Sequence, residues 1–457
     1  MLSMLCYHEG RFDISTQEDF IMDRELTKQF LEFLDNSPSC YHVVDNLKNE
    51  LLENGYVQLQ ECERWNLQPE GKYFVIRGES ALLAFRIPKE VTGGFMMAAA
   101  HTDSPTFQLK QEAEILGPGN TLRLSVEPYG GMISRSWLDR PLSVAGRVMV
   151  DVDGDVVSRH IYIDRDLLVI PSVAIHMDRE VNKGVPLNPA VDMLPLAGNA
   201  TEKGAFKKLV AEAAGVKPEE ILSTELFLTC RAPATLLGLE EEFIAAPKLD
   251  DLECVFACLK GFLAAEESGA VPVFCAFDNE EVGSATRKGA DSTFLTGLVE
   301  SISEQLGRTP AEHLTAVARS FMVSADNAHA IHPAHPEYAD KTEAPAMNGG
   351  IVIKQTASQR YTTDSLSAAL FRMICRKADV PVQMYSNRAD LPGGSTLGNI
   401  SSSHLSVPAV DVGLAQLAMH ASYEVAGTKD LEYMVRAMTT YFGCDLHPTK
   451  NGATGVW

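Results

Sequence analysis

The sequence predicts an α/β protein, a mixed sheet clad by helices and interrupted by a β-rich insert. Three observations carry this. Three short apolar runs, "FMMAAA" (95–100), "VPVFCAF" (271–277) and "FMV" (321–323), each end in a polar cluster: "HTDSP", "DNEE" and "SADNAHA". Such runs suit strands buried on both faces. Between them lie helical patterns. In "LDDLECVFACLKGFLAA", Leu252, Val255, Phe256, Leu259, Phe262 and Leu263 recur at steps of three and four, one apolar face, and Asp250 or Asp251 is placed to cap its start. Residues 106–234 read differently: "TLRLSV" and "RVMVDVDGDVVSRHIYID" alternate apolar with polar, and Asp153-Gly154 is a hairpin signal. In an open α/β sheet, sites gather at the carboxyl ends of the strands, and the polar clusters fall there.

The totals bound the function. The 457 residues are enough for two or more domains. A formal charge of −22, from 39 basic and 61 acidic side chains, argues against sequence-independent nucleic-acid binding and against anionic membrane surfaces. No run of 18 apolar residues suggests a membrane span. Residues 1–21 lack the cationic start and apolar centre of a signal peptide and read as an N-terminal extension, since Met22 could begin a shorter chain. Nine cysteines, an odd number without paired spacing, suggest reduced thiols and a cytoplasmic setting. Cys254 and Cys258, four apart, read as helix neighbours in a core. No internal repeat or low-complexity linker is evident.

The polar clusters carry the chemistry. In "HTDSP", His101 can offer an imidazole nitrogen to a metal while Asp103 holds the other; alternatively His101 is a strand-end histidine satisfied locally. In "PKLDDLE", Asp250 and Asp251 are ligand candidates or a helix cap with a solvated neighbour. In "DNEE", Glu280 and Glu281 would repel each other at the end of a buried strand unless a cation lay between them. With a metal, one would ligate and the other would take a proton from water; the alternative is an exposed acidic loop. "SADNAHAIHPAHP" offers Asp326 as a ligand. His329, His332 and His335 read as support or loop structure, because Pro333 and Pro336 break a regular helix. His420 in "QLAMHAS" is a ligand or a core histidine. Two imidazoles with carboxylates suit divalent zinc, manganese or cobalt, and a bridging carboxylate would let two ions share the set. "LPGGSTLG" lacks the lysine of a phosphate loop and reads as a turn or a surface for a substrate's main chain. Lys354, inside an apolar strand, is a structural ion pair or a clamp for a substrate carboxylate.

Together "HTDSP", "LDDL", "DNEEVGS", "SADNAHAIHP", "IKQTASQRY", "GGSTLG" and "QLAMHA", with "SPSCYHVVDN" and "YGGMISRSWLDRPL", resemble the aspartyl aminopeptidase family of dinuclear zinc exopeptidases, from about residue 22 to the C-terminus. The resemblance implies a mixed-sheet zinc-exopeptidase catalytic domain (22–105 and 235–457) carrying an inserted β-rich dimerisation domain (106–234). It implies that Asp250 bridges two zinc ions, that Glu281 and His420 complete one site and His101 and Asp326 the other. Glu280 would be the general base and Asp103 would orient His101. His176, in "IPSVAIHM", would reach a neighbouring subunit's active site, and dimers would build a tetrahedral dodecamer. Lys354, Tyr361, Gly394 and Ser395 match substrate-contact positions. Two departures stand out: Asp251 occupies a position that is Asn in many members, and residues 1–21 have no counterpart. The expected activity is cleavage of the N-terminal residue from peptides, with an acidic first residue favoured by the Lys354 cation. A neutral preference, a dinuclear deacylase or carboxypeptidase, and a non-enzymatic assembly scaffold are the alternatives.

Overall fold

The computed structural model describes residues 24–391, 393–394, 396–448 and 454–456; the N-terminal extension, residues 1–21, lies outside them. A mixed nine-stranded sheet forms the centre, in the order Val57–Leu59, Lys72–Arg77, Ala81–Arg86, Val271–Phe277, Phe95–His101, Phe321–Ala325, Ala409–Gly413, Ile351–Lys354 and Val382–Tyr385. Its four middle strands, 271–277, 95–101, 321–325 and 409–413, are mutually parallel. Their carboxyl ends therefore share one edge, and the register sets Phe277 opposite His101.

These strands are buried along their whole length because both faces are covered. On one face the helix Leu249–Ala264 lies against Arg24–Asp35, with Phe256 stacked near Phe30 and Phe33 at 5.1 and 5.5 Å between ring centres. It also meets the helix Thr428–Phe442 so closely that a Cβ on Gly261 would fall 2.5 Å from Cβ of Met438. Cys254 and Cys258 are buried in this helix, the packing role their spacing suggests. On the other face Phe294, Leu298 and Ile302 pack against Phe85, Met97 and Phe277. The expected helix cap is not made. The residue before the helix is Lys248, with no side-chain cap bond, and Asp250 and Asp251 are 3% and 0% exposed. Both aspartates are turned into the protein because their carboxylates have partners there, so neither is a solvated neighbour.

Between Thr106 and Cys230 the chain forms a separate six-stranded antiparallel sheet, ordered Asp155–Tyr162, Leu142–Val152, Ile221–Cys230, Thr106–Gly117, Thr121–Tyr129 and Leu196–Asn199. It has its own core of Phe107, Leu124, Trp137, Val144 and Ile170. Asp153 (φ 54°) and Gly154 (φ 92°) turn the hairpin between its first two strands, the paired positive φ that an Asp-Gly turn supplies. An ionic cluster pins this sheet to the central one. Arg147 donates to Glu79 (3.0 Å) and to the Gly78 carbonyl (3.1 Å), and binds Glu225. His160 lies between Asp45 (2.6 Å) and Glu79 (3.4 Å).

Burial opposes a charge on His160, yet the hydrogen bonds to Asp45 and Glu79 outweigh it and hold the group up at about 9. A value raised on folding means stabilisation that is complete below about pH 6.5 and is lost as pH climbs through the folded value. The cluster is half-exposed and screened by solvent, so His160→Gln is expected to lower the melting temperature by only about 1–3 °C at pH 6. Paired melts should show the gap closing by pH 10.

Candidate metal centre

Each candidate ligand is delivered by the end of an element. His101 closes the strand Phe95–His101, and its Nδ1 lies 3.0 Å from the main-chain carbonyl of Asp103. A carbonyl only accepts, so Nδ1 carries a proton, and Nε2, the nitrogen left to bind a metal, faces Asp250 Oδ1 at 3.4 Å. His420 repeats this arrangement from the opposite side. Its Nδ1 donates to the Gly131 carbonyl (2.9 Å), and its Nε2 faces Asp250 Oδ2 at 3.3 Å and Glu281 Oε2 at 3.6 Å. The two oxygens of one buried carboxylate thus face two different imidazoles.

Asp103 holds His101 differently from expectation. Its carbonyl makes the close contact, while its carboxylate Oδ1 is 3.5 Å from Nδ1. The carboxylate is engaged elsewhere, accepting the N–H groups of Glu280 (3.1 Å) and Glu281 (3.2 Å) and the Tyr129 hydroxyl (2.8 Å). It fixes the short turn Glu280–Val282, which Asn279 enters at φ 63°. The Asn279 amide in turn donates to the Tyr129 oxygen at 2.8 Å. Asp326 follows Phe321–Ala325, with the Lys354 ammonium 3.4 Å from its Oδ1. That ammonium also donates to the carbonyls of Asp326 (2.6 Å) and Asn327 (3.1 Å). The Tyr361 ring lies 5.5 Å from it. Asp251 accepts the His101 N–H at 3.1 Å.

The donors form overlapping groups. His101, Asp250, Asp251 and Asp326 bring ligand atoms within 4.8 Å of one another; so do Asp250, Glu281 and His420, and so do His101, Glu280 and Glu281. Asp250 Oδ1, Asp251 Oδ1 and Glu281 Oε1 are buried without any hydrogen-bond partner, a costly state for carboxylate oxygens unless a cation meets them. With protein groups alone the charges do not balance. Burial and then neighbouring charges, Asp326, Asp103 and Asp250 among them, push Glu280 up to about 7. Burial first and Asp250 next raise Glu281 well above the usual carboxylate range. Burial lifts Asp251 and Asp326 as well. His420 is held up at about 10 by Asp250 and Glu281 although burial opposes its charge. The donor set and its orphaned oxygens fit divalent zinc, which takes imidazole and carboxylate ligands.

Other expected residues fall outside these groups. His176 is exposed on the segment after Asp155–Tyr162. Gly394 is exposed beside a cavity of about 340 Å³ that His329, His332, Tyr385 and Gln416 also line. Ser395 lies outside the described residues. Sequence reasoning missed three supports. The segment at Gly130–Gly131, read only as turns, reaches the centre: Gly131 orients His420, and a Cβ on Gly130 (φ 77°) would lie 3.0 Å from Cβ of Glu281. Buried Glu424 accepts the N–H groups of Asp250 and His420. Buried Asp411 accepts from the Thr362 N–H (2.5 Å), the Thr362 hydroxyl (2.8 Å) and the Thr396 hydroxyl (2.5 Å), tying together the segments beside Tyr361 and Gly394. Only the paired glycines left a sequence signal. The two carboxylates bond peptide N–H groups and hydroxyls, which carry no mark in the sequence.

Residues 33–442 match the family described as aminopeptidase I zinc metalloprotease (M18). An M18 family aminopeptidase 2 of Clostridium acetobutylicum is 41% identical over 426 residues, which cover 92% of this chain and 98% of that protein. Its counterpart in Pseudomonas paraeruginosa is 37% identical, over 92% of this chain and 99% of its own. Among solved structures, a chain of the Ape4 and Nbr1 complex superposes with a TM-score of 0.88 at 35% identity, over 92% of this chain and 85% of that one. The S. cerevisiae mApe1 dodecamer gives 0.81 at 27%, over 92% and 96%.

Tyr129→Phe would strip Asp103 and Asn279 of the hydroxyl they share. Leaving such groups unpaired costs about 1–3 kcal/mol, so thermal melts should show a loss of about 2–8 °C.

Proposed function

The chain belongs to the M18 family of aminopeptidase I zinc metalloproteases, its reaction is hydrolysis of the N-terminal peptide bond of peptides, and from that premise we propose that it works with two divalent ions per subunit. The ions would be zinc, with manganese or cobalt as alternatives. Asp250 would bridge them, His101 and Asp326 would complete one site, and Glu281 and His420 the other. One observation carries this reading: the two oxygens of Asp250 face the Nε2 atoms of two imidazoles that are each held from behind by a main-chain carbonyl. When bound, two such ions make water acidic and polarise a carbonyl. Glu280 would accept the proton of the attacking water and return it to the nitrogen of the departing peptide. Asp103, by anchoring the Glu280 and Glu281 N–H groups, would keep base and ligand in fixed relation.

Residues 106–234 would form the dimerisation insert, and 22–105 with 235–457 the catalytic part. His176 would steady the reacting carbonyl in a neighbouring subunit's site. Its exposure, flanked by exposed Val173, Ile175 and Met177, supports a contact made in an assembly. A tetrahedral dodecamer built from dimers is the assembly we favour, in line with the mApe1 dodecamer. No helix among the described residues is long and apolar enough to cross a membrane, and the eight described cysteines are free; both accord with a cytoplasmic enzyme.

An acidic first residue is the preferred substrate, with Lys354 and Tyr361 beside Asp326 and the segment around Gly394 and Ser395 receiving the main chain. Lys354 already donates to two main-chain carbonyls and lies 3.4 Å from Asp326 Oδ1, which favours a second reading, a neutral, leucine-like preference. Reporter substrates bearing Asp, Glu or Leu, with zinc, manganese or cobalt added, separate the two. A deacylase or carboxypeptidase would tolerate a blocked substrate amine, whereas an aminopeptidase loses such a substrate. An assembly scaffold would release no amino acid at all.

Glu280→Gln is expected to cut turnover about 10²- to 10⁴-fold while zinc per subunit stays unchanged by elemental analysis; activity near the parent level would remove Glu280 as the base. His176→Phe should lower turnover strongly with zinc content intact, and a full-rate variant would remove the shared site.

A further inference from the structure

We infer that Glu424 is a positioning residue for the metal centre, one buried carboxylate that holds the main chains of Asp250 and His420 together. Its Oε2 accepts the N–H of Asp250 at 3.0 Å and its Oε1 accepts the N–H of His420 at 2.7 Å. The side chain is 1% exposed. The two segments it joins arrive separately. Asp250 opens the helix Leu249–Ala264, just beyond the strand Phe243–Ala246, and His420 lies in the loop between Ala415–Leu417 and Glu424–Gly427. Glu424 is paired with Ala246 across a small five-stranded sheet that holds Phe243–Ala246, Ala415–Leu417 and Glu424–Gly427, so its carboxylate stands where both segments leave their strands.

The chemistry suits this duty. A carboxylate offers two acceptor oxygens and no donor, so it can take one N–H on each. Both segments need fixing, because Lys248 (φ 63°), Ala418 (φ 58°) and His420 (φ 67°) are non-glycine residues in left-handed backbone. With the two main chains tied, Asp250 Oδ2 and His420 Nε2 face each other at 3.3 Å. Glutamine would turn an amide donor toward one of the N–H groups and release it. The inference rests on the ligand assignment proposed above for Asp250 and His420.

The test is zinc and cobalt binding to the full chain. Glu424→Gln is expected to weaken zinc binding about 10- to 100-fold, to shift the visible absorption of the cobalt-loaded protein and to lower kcat more than it raises KM. In a His420→Ala background the same substitution should cost less, because the part of its effect that runs through the His420 ligand is already lost and only the Asp250 part remains. An unchanged zinc affinity and cobalt spectrum, or an equal loss in both backgrounds, would overturn the inference. Should Glu424→Gln not fold, Glu424→Asp, which keeps both acceptor oxygens but withdraws them by one methylene, carries the same measurements with the same expected directions. A parent chain that binds no zinc would instead remove the ligand assignment itself.

Discussion

Unbalanced charge in a dry place is the constraint on which the rest of the structure depends. Asp250, Asp251 and Asp326 are at most 8% exposed, gathered with Glu281 at the carboxyl edge of a sheet whose strands are apolar on both faces. Withdrawing an isolated carboxylate from water costs several kcal/mol. The protein offsets part of this with two imidazoles and the Lys354 ammonium. What remains is negative charge on oxygens without donors, and a divalent cation answers that remainder. The same apolar cladding that makes the cluster costly by itself lowers the local dielectric and so strengthens its hold on a cation.

Around this cluster the main chain does most of the holding. Carbonyls of Asp103 and Gly131 set the tautomers of the two histidines. N–H groups of Glu280, Glu281, Asp250 and His420 are received by Asp103 and Glu424. Carboxylates thus serve in two layers, one facing inward with free oxygens and one saturated by peptide groups. Lys248, Asn279 and His420 pass through left-handed backbone at about 1–3 kcal/mol each. Such conformations persist where the surroundings over-determine them, and here the saturated layer does so.

The inner layer was legible in the sequence and the outer one was not. Apolar runs ending in "HTDSP", "DNEE" and "SADNAHA" mark strand ends because burial on both faces leaves no alternation to confuse the reading. Asp153-Gly154 announced its hairpin through backbone conformation, a local property. For Asp250 and Asp251 the helix-cap alternative fails and the candidate-ligand reading is the one the geometry accords with. Their real partners, His101 and His420 for one and the His101 N–H for the other, are about 150 or more residues away along the chain. Asp103 was read for its side chain, whose Oδ1 lies 3.5 Å from His101 Nδ1, but the closer contact is made by its carbonyl, which every residue has. For the same reason Glu424 and Asp411 gave no sign, since a carboxylate that receives a peptide N–H has no partner identity to recognise. Lys354 keeps both of its readings, since an ammonium that bonds main-chain oxygens is a lysine in either role.

The contact between Gly131 and His420 has a reach beyond geometry. The carbonyl belongs to the segment just after Thr121–Tyr129 of the separate sheet, and the same segment grips the histidine loop through Ile133 and Ser136. A candidate ligand of one unit is therefore steered by the other. A displacement of the six-stranded sheet would shift His420, and an ion held there would in return steady the seat of that sheet, since such coupling is reciprocal.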